Sequence, residues 1–156
     1  MSARLPCRED WLLLAVSGGG LGALPRAPGT WGSLGALPFW LIFSRLDQAA
    51  YLLLVLLFSG VAVYLAGAAA KPLQTSDSPV IVIDEIAGLA LALTGVPLGL
   101  GNAVAAFLLF RFFDIIKPFP ADWCEANLPG GFGVVADDLA AGVMTWLVLQ
   151  VKILII

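Results

Sequence analysis

Seven charged side chains lie beside apolar segments, and their types and spacing suit phosphoryl chemistry. They are Asp84, Glu85, Arg111, Asp114, Lys117, Asp137 and Asp138. In so apolar a chain, ionisable groups beside hydrophobic segments indicate a functional site. Mg²⁺ prefers carboxylate oxygens, commonly one or two, with water and substrate phosphate completing its ligand shell. The set therefore predicts metal-assisted phosphoryl chemistry in which neighbouring cations neutralise phosphate oxygens.

Three charged residues at the end of one apolar run are expected to have different roles in this chemistry. Arg111, Asp114 and Lys117 are spaced i, i+3 and i+6, so the first two are neighbours on one helix face. We expect Asp114 to bind metal, and Arg111 and Lys117 to bind phosphate. The alternative is a snorkelling pair of cations with an ion-pair partner at a helix end. Pro118 and Pro120 are expected to end this helix.

Two acidic pairs are the remaining candidate metal ligands. Asp84 and Glu85 lie near the start of an apolar run, where carboxylates also favour the positive end of a helix. Asp137 and Asp138 follow a glycine-rich segment at residues 130–133 that predicts a turn leading to a helix start. In that arrangement Asp137 could be only an N-cap, whereas Asp138 would face the bundle. Backbone amides of the turn could also bind phosphate.

The composition indicates a membrane protein and excludes several classes of function. Hydrophobic residues make up 60% of the 156 residues and charged residues only 12%, whereas soluble proteins average about 25% charged. The net charge of −3 and the lack of a basic run argue against nucleic-acid binding. The chain has no histidine, which excludes histidine nucleophiles, histidine bases and His-ligated zinc. Cys7 and Cys124 have neither metal-ligand spacing nor a disulfide framework.

The apolar segments predict an all-α integral membrane bundle with four to five membrane helices behind an N-terminal interfacial helix. We place the interfacial helix or half-helix at residues 11–16, and residues 17–32 are too rich in Gly and Pro to propagate a helix. Residues 49–70 are long enough to cross about 30 Å of hydrocarbon. The other predictions are a short span or re-entrant helix at 31–43, spans at 80–93, 102–116 and 138–156, and a loop at 118–133.

This topology can be compared with the distribution of charge. Five spans with a cytoplasmic N-terminus would place six basic residues on the cytoplasmic side and two on the other, as the positive-inside tendency requires. These five spans would also bring Thr30 and irregular Gly/Pro-rich loops to the cytoplasmic face. The charged residues at 84–85, 111–117 and 137–138 would lie on the same face. We therefore expect one domain over residues 1–156, with a poorly ordered stretch at 1–10 and one site at the membrane interface.

Four motifs resemble those of the phosphatidylglycerophosphatase A family. They are GTWGSLGALP at 29–38, DEIAG at 84–88, RFFDIIKPFP at 111–120 and GGFGVVADDLAAG at 130–142. The resemblance covers about residues 17–148, and the motifs keep the family's order. It implies a multi-pass, Mg²⁺-dependent phosphatase of the bacterial inner membrane that converts phosphatidylglycerophosphate to phosphatidylglycerol. Val135 and Ala136 depart from the bulkier pair expected before the two acids, but no chemical group is lost.

Roles for the candidate residues follow under this hypothesis. One or two Mg²⁺ ions would be bound by Asp84, Glu85, Asp114 and either Asp137 or Asp138. The catalytic residues would be Asp138, which orients water or acts as base, with Asp114 and Lys117; Arg111, Lys117 and Thr30 would contact the substrate phosphate. The partners are then the lipid substrate and the bilayer.

Two other hypotheses use the same residues. A small-cation or proton carrier could use these carboxylates, but transporters place such charges near the bilayer midplane at broken helices and commonly show inverted repeats. A CDP-alcohol phosphotransferase is also a Mg²⁺-dependent membrane enzyme, but its spaced Asp, Gly and Arg signature is missing here.

Overall fold

A computed structural model describes residues 8–75 and 78–155 of the chain. These residues form eight α-helices and a short 3-10 turn at Leu21–Ala23, with no strand in either described range. The helices are α1 Arg8–Val16, α2 Pro28–Leu34, α3 Ala36–Phe43, α4 Gln48–Leu73, α5 Ile83–Ala92, α6 Leu100–Ile116, α7 Ala121–Asn127 and α8 Gly131–Ile155. The predicted all-α fold is confirmed.

Two of the described helices are long and apolar enough to cross a membrane. They are α4, with 26 residues, and α8, with 25. The first contains the predicted span at residues 49–70. By contrast, α5 has 10 residues and α6 has 17, which is shorter than the roughly 20 that a span needs. The predicted total of four to five membrane helices is therefore not confirmed for the described part of the chain.

The outer surfaces of three helices are apolar. Exposed side chains on them include Leu57 on α4, Leu108 on α6 and Leu154 on α8, each at least 60% exposed. Soluble monomers rarely expose large contiguous apolar patches. These surfaces and the two long apolar helices together indicate association with a membrane.

The short helix α5 is the centre of the bundle and contacts α2, α3, α4, α6 and α8. Its tightest approach is to α8, where neither helix carries a side chain at the crossing. A Cβ atom on Gly142 would overlap the carbonyl of Gly88, and a Cβ atom on Gly88 would lie 2.6 Å from the carbonyl oxygen of Asp138. Leu89 and Phe110 pack beside this crossing in the buried core.

Residues 28–43 form two short helices, whereas the sequence predicted one short span or re-entrant helix at residues 31–43. The helix α2 starts at Pro28, inside the stretch predicted unable to propagate a helix. That prediction was wrong because proline suits the first helical position, where its missing N–H would have no partner. The helix α3 follows after Gly35, and Pro38 lies in its first turn. With 7 and 8 residues, neither helix alone crosses a bilayer.

The predicted loop at residues 118–133 contains a further helix, α7, and the start of α8. The structure begins α8 at Gly131, two turns before the predicted start at Asp138. The low helix propensity of glycine misled the prediction, because close packing outweighs it here. A Cβ atom on Gly131 would lie 2.6 Å from the backbone nitrogen of Gly67 in α4, so only glycine allows this contact.

The predicted N-terminal helix is present as α1, which starts three residues before the predicted stretch at 11–16 and packs against α4. Its interfacial location stays a prediction, although Trp11 is 60% exposed. The expected poor order of residues 1–10 falls mainly on residues 1–7, which lie outside the described ranges. Residues 8–10 belong to α1, and the expected poor order of this stretch stays a prediction.

Candidate active site

A cavity of about 170 Å³ lies at one end of the bundle, where α5 and α8 begin and α6 ends. Its lining includes seven ionisable side chains: Asp84, Glu85, Asp114, Lys117, Glu125, Asp137 and Asp138. Six of these were predicted from the sequence as site residues. The structure thus brings together charged groups that are up to 54 positions apart in the chain.

The first turn of α5 supplies Asp84 and Glu85. Asp84 is only 6% exposed, and the Glu85 side chain is 14% exposed. Burial raises the pKa of both carboxyls above their ordinary values, because the charged forms lose water. The buried Oε2 of Glu85 has no hydrogen-bond partner in the described structure. A cation at this position would satisfy that oxygen and favour the ionised forms.

Two glycines of α2 allow this helix to close over Glu85. A Cβ atom on Gly29 would overlap Oε1 of Glu85, and a Cβ atom on Gly32 would lie 2.9 Å from Oε2. The spacing of these glycines, one helical turn apart, was the available sequence signal for this contact. Thr30 was the one residue of this segment predicted to belong to the site, and the contact of the two glycines with Glu85 was not predicted.

The last turns of α6 supply Arg111 and Asp114, which form an i, i+3 ion pair. Nη1 of Arg111 also lies 3.8 Å from Oε1 of Glu85 and donates a hydrogen bond of 3.4 Å to Oγ of Ser33. The guanidinium therefore joins α6 to α5 and α2. It is beside the cavity but is not part of its described lining.

Lys117 caps the C-terminus of α6 in a left-handed conformation with φ of 47°. Its Nζ lies 2.7 Å from Oδ2 of Asp137 and 3.0 Å from Oε2 of Glu125. Burial alone would lower the pKa of the Lys117 ammonium, but the two carboxylates outweigh this effect and raise the pKa above its ordinary value. Lys117 is therefore a permanent cation in the cavity.

The second turn of α8 supplies Asp137 and Asp138. They are the seventh and eighth residues of the helix, so the prediction that Asp137 could be an N-cap was wrong. The early start of α8 moves both acids into the helix interior. Asp137 binds Lys117 through Oδ2, whereas Oδ1 of Asp138, a residue only 4% exposed, has no hydrogen-bond partner among the described residues.

The chain is similar to known proteins along most of its length. A family model of phosphatidylglycerophosphatase A matches residues 14–153. The chain belongs to the phosphatidylglycerophosphatase A family. A phosphatidylglycerophosphatase A of Escherichia coli K12 is 41% identical over 144 residues, which cover 92% of this chain and 83% of the relative. No solved structure matches the chain.

Two further relatives share most of their length with the chain. A phosphatidylglycerophosphatase A of Haemophilus influenzae is 39% identical over 133 residues, 84% of this chain and 81% of the relative. A Bacteroides thetaiotaomicron protein provisionally named phosphatidylinositol-3-phosphatase is 36% identical over 150 residues, 89% of this chain and 91% of the relative.

The carboxylate groups that line this cavity suit a hard cation, because they offer only oxygen atoms as ligands. Within residues 8–75 and 78–155, no three acidic or thiol side chains are gathered closely enough to hold a metal ion by themselves. Two buried carboxylate oxygens, Oε2 of Glu85 and Oδ1 of Asp138, nevertheless have no partner in the described structure. This arrangement fits an ion such as Mg²⁺, which keeps several waters and takes one or two carboxylates.

The remaining predicted residue, Thr30, lies on α2 beside Gly29 but not in the described lining of the cavity. Its contact with phosphate stays a prediction. Glu125 does line the cavity, although it was not predicted to be a site residue. The reason is that residues 118–133 were interpreted as a loop, so the position of a residue within α7 could not be inferred.

Proposed function

We propose that this chain is a phosphatidylglycerophosphatase, which hydrolyses phosphatidylglycerophosphate to phosphatidylglycerol and inorganic phosphate in bacterial phospholipid synthesis. The observation that carries the proposal is the convergence of six carboxylates and Lys117 on one cavity, in a bundle with two helices of membrane length. Family membership supports the same activity, because the relatives at 41% and 39% identity bear this enzyme's name. The Bacteroides relative's provisional name also concerns a lipid phosphomonoester.

Mg²⁺ is the proposed cofactor, as one or two ions, and the candidate ligands are Asp84, Glu85, Asp114 and either Asp137 or Asp138. No three acidic side chains in the described structure are close enough to hold one ion directly. Each ion would therefore take one or two of these carboxylates, and waters would complete its ligand shell. The two buried oxygens without partners, on Glu85 and Asp138, support this assignment. When bound, the ion would polarise the phosphoryl group and lower the pKa of a water ligand.

Lys117 is the proposed binding residue for the phosphate oxygens, because its ammonium lines the cavity. Asp137, at 2.7 Å from Nζ, would hold this ammonium in position. Asp138 would accept a proton from the attacking water as the water oxygen bonds to phosphorus. The bond between phosphorus and the glycerol oxygen then breaks, and that oxygen takes up a proton.

Arg111 would act mainly through the carboxylates that it contacts. Its positive charge beside Glu85 and Asp114 offsets two negative charges and orients both side chains. A direct contact of Arg111 or Thr30 with the equatorial phosphate oxygens remains part of the proposal. It requires that the substrate extends from the cavity toward α2.

The proposed location is the bacterial inner membrane, with several membrane passes and the cavity on the cytoplasmic face. The arrangement of basic residues supports this orientation. Lys71, Arg111 and Lys117 lie at the end of the bundle that carries the cavity, whereas Arg45 and Lys152 lie toward the other end. The acyl chains would then lie along the apolar helix surfaces while the headgroup reaches the acids.

The proposal is tested by phosphate release from phosphatidylglycerophosphate in detergent, with Mg²⁺ and with EDTA. We expect release by the native chain that requires Mg²⁺, and a loss of about 100-fold or more in Asp138→Asn. The matched control is Asp122→Asn, which removes an exposed carboxylate of α7 outside the cavity lining and should keep native activity.

Two results would contradict parts of this proposal. If no phosphate is released under any metal condition, the phosphatase assignment is refuted. The small-cation or proton carrier would then be the hypothesis that explains the acidic residues. Mg²⁺-dependent release by Asp138→Asn at the native rate would keep the function but refute the role of Asp138 as base.

A further inference from the structure

The ammonium of Lys117 is already engaged by two carboxylates. Its Nζ lies 2.7 Å from Asp137 and 3.0 Å from Glu125. A lysine ammonium offers three hydrogen-bond donors. A phosphate that uses more than one of them must therefore take the place of a carboxylate, and the two candidates for displacement differ.

Asp137 is the less replaceable partner. Its side chain is 8% exposed and belongs to the interior of α8, between the crossings with α5 and α4. Removing its cation would leave a buried charge without a partner, which is strongly unfavourable. Asp137 is therefore a fixed ligand of Lys117.

Glu125 is the replaceable partner. Its side chain is 47% exposed, and it lies on α7, a helix of only seven residues. Exposed ion pairs contribute little free energy, typically about 0.2–1 kcal/mol. Glu125 also lines the cavity, so its carboxylate occupies space beside Lys117 that a phosphate oxygen could take.

We propose that Glu125 is a specificity-determining residue that competes with the phosphate for Lys117 and admits only an anion of higher charge. The inference deepens the proposed function, because it rests on Lys117 as the phosphate-binding residue. Glu125 acts through Lys117 and is a positioning residue, without a part in the chemical step.

Charge explains what this competition would select. A phosphomonoester carries about −1.5 to −2 at neutral pH and three strong acceptor oxygens. A phosphodiester, such as the lipid product or the bulk of a bilayer, carries a single negative charge, as the glutamate carboxylate does. The monoester and inorganic phosphate therefore exceed Glu125 in charge, whereas a phosphodiester does not. The diester lipid product would be released, and abundant diester lipids would stay outside.

The test compares the full-length native chain with Glu125→Gln in detergent at fixed Mg²⁺ concentration. Binding of inorganic phosphate is measured by titration calorimetry, and inhibition of turnover by phosphatidylglycerol in mixed micelles. In Glu125→Gln we expect phosphate to bind about two- to fivefold more tightly, the change that corresponds to an exposed ion pair. Inhibition by phosphatidylglycerol should strengthen, and KM for the substrate should fall while kcat does not rise.

Asp122→Asn is the matched control, because it removes the same charge from the same helix and Asp122 does not line the cavity. Glu125→Ala is the second variant and should change binding in the same direction. The inference is overturned if phosphate and phosphatidylglycerol bind the Glu125 variants as they bind the native chain, or if Asp122→Asn shows an equal change. It is also overturned if the variants lose only stability or kcat, as a purely structural role of Glu125 would predict.

These outcomes can be separated from failure of the proposed function. A native chain that releases no phosphate from phosphatidylglycerophosphate refutes that function, while the calorimetric comparison with inorganic phosphate still decides the role of Glu125. A native chain that turns over normally, with Glu125→Gln identical to it in both measurements, refutes only the inference.

Discussion

The Nζ of Lys117 lies 2.7 Å from Oδ2 of Asp137, and this ion pair ties the end of α6 to the second turn of α8. The two residues are 20 positions apart, and the segment between them contains α7. The pair thus closes one side of the cavity and fixes the position of its cation. Its removal should affect both stability and activity.

Replacement of Lys117 by Met should lower phosphate release by about 100-fold or more, because the phosphate loses its cation. It should also lower the free energy of unfolding by about 1–3 kcal/mol, because the buried Asp137 carboxylate is left without its partner. Lys117→Met with Asp137→Asn should be less destabilised than the sum of the single variants. Phosphate assays and denaturant unfolding in detergent measure these effects.

The control for that cycle is Lys152→Met, at the far end of α8. Its ammonium donates a hydrogen bond of 3.1 Å to Oδ1 of Asn102, and Lys152 is not among the described residues that line the cavity. Native-like activity is expected. An equal loss of activity in this variant would show that loss of a lysine charge anywhere in the bundle is sufficient.

Replacement of Gly142 by Ala should destabilise the fold by about 1–3 kcal/mol, because the added methyl group overlaps the carbonyl of Gly88. The shift of α5 against α8 should also lower activity, since these helices supply Asp84 and Asp138. Gly60→Ala is the control, because its added Cβ would meet no other helix or side chain of the described structure within 4 Å, and alanine favours a helix. Equal thermal unfolding midpoints for the two variants would contradict the predicted close crossing.

Mg²⁺ should raise the midpoint of thermal unfolding of the native chain, because an ion that binds only the folded state stabilises it. The shift should grow with ion concentration and disappear with EDTA. Glu85→Gln should reduce it, since this change removes one of the buried oxygens that lack a partner. Asp122→Asn should keep the native shift, and a full native shift in Glu85→Gln would exclude Glu85 as a ligand.

Replacement of Arg111 by Lys should lower both the unfolding midpoint and kcat, although the charge is kept. Nη1 of Arg111 makes the contacts with Asp114, Glu85 and Ser33, and the planar guanidinium holds this nitrogen rigidly. A lysine ammonium is a point charge on a flexible stem and would hold these three groups less firmly. Ser33→Ala removes only the weakest of these contacts and should have a smaller effect. If Arg111 contacts the substrate directly, its replacement should instead raise KM with little change in the unfolding midpoint.

The sequence was sufficient to predict the helical class, the helix at residues 49–70 and six of the seven ionisable residues at the cavity. These predictions succeeded because charges are so rare in this chain that each position was informative. The cluster also depends only on which helix ends meet, and short connections restrict that strongly.

Other features depend on contacts that local sequence does not encode. The starts of α2 and α8 were missed because Pro28 and Gly131 were interpreted by their helix propensity, whereas tertiary packing decides both positions. Glu125 was missed because α7 is too short to show a periodic pattern. The close approach of Gly29 and Gly32 to Glu85 became visible only when the residues across from them were known.

The early start of α8 has a consequence for the medium in which the reaction takes place. Asp138 lies seven positions after Gly131, so its backbone is about 10 Å along the helix from the first residue. Asp138 is only 4% exposed, so a group in contact with its carboxylate is surrounded mainly by protein atoms. Electrostatic forces there are stronger than at an open surface, because the local dielectric constant is lower. The cavity is thus an environment for the headgroup that differs from both the cytosol and the lipid.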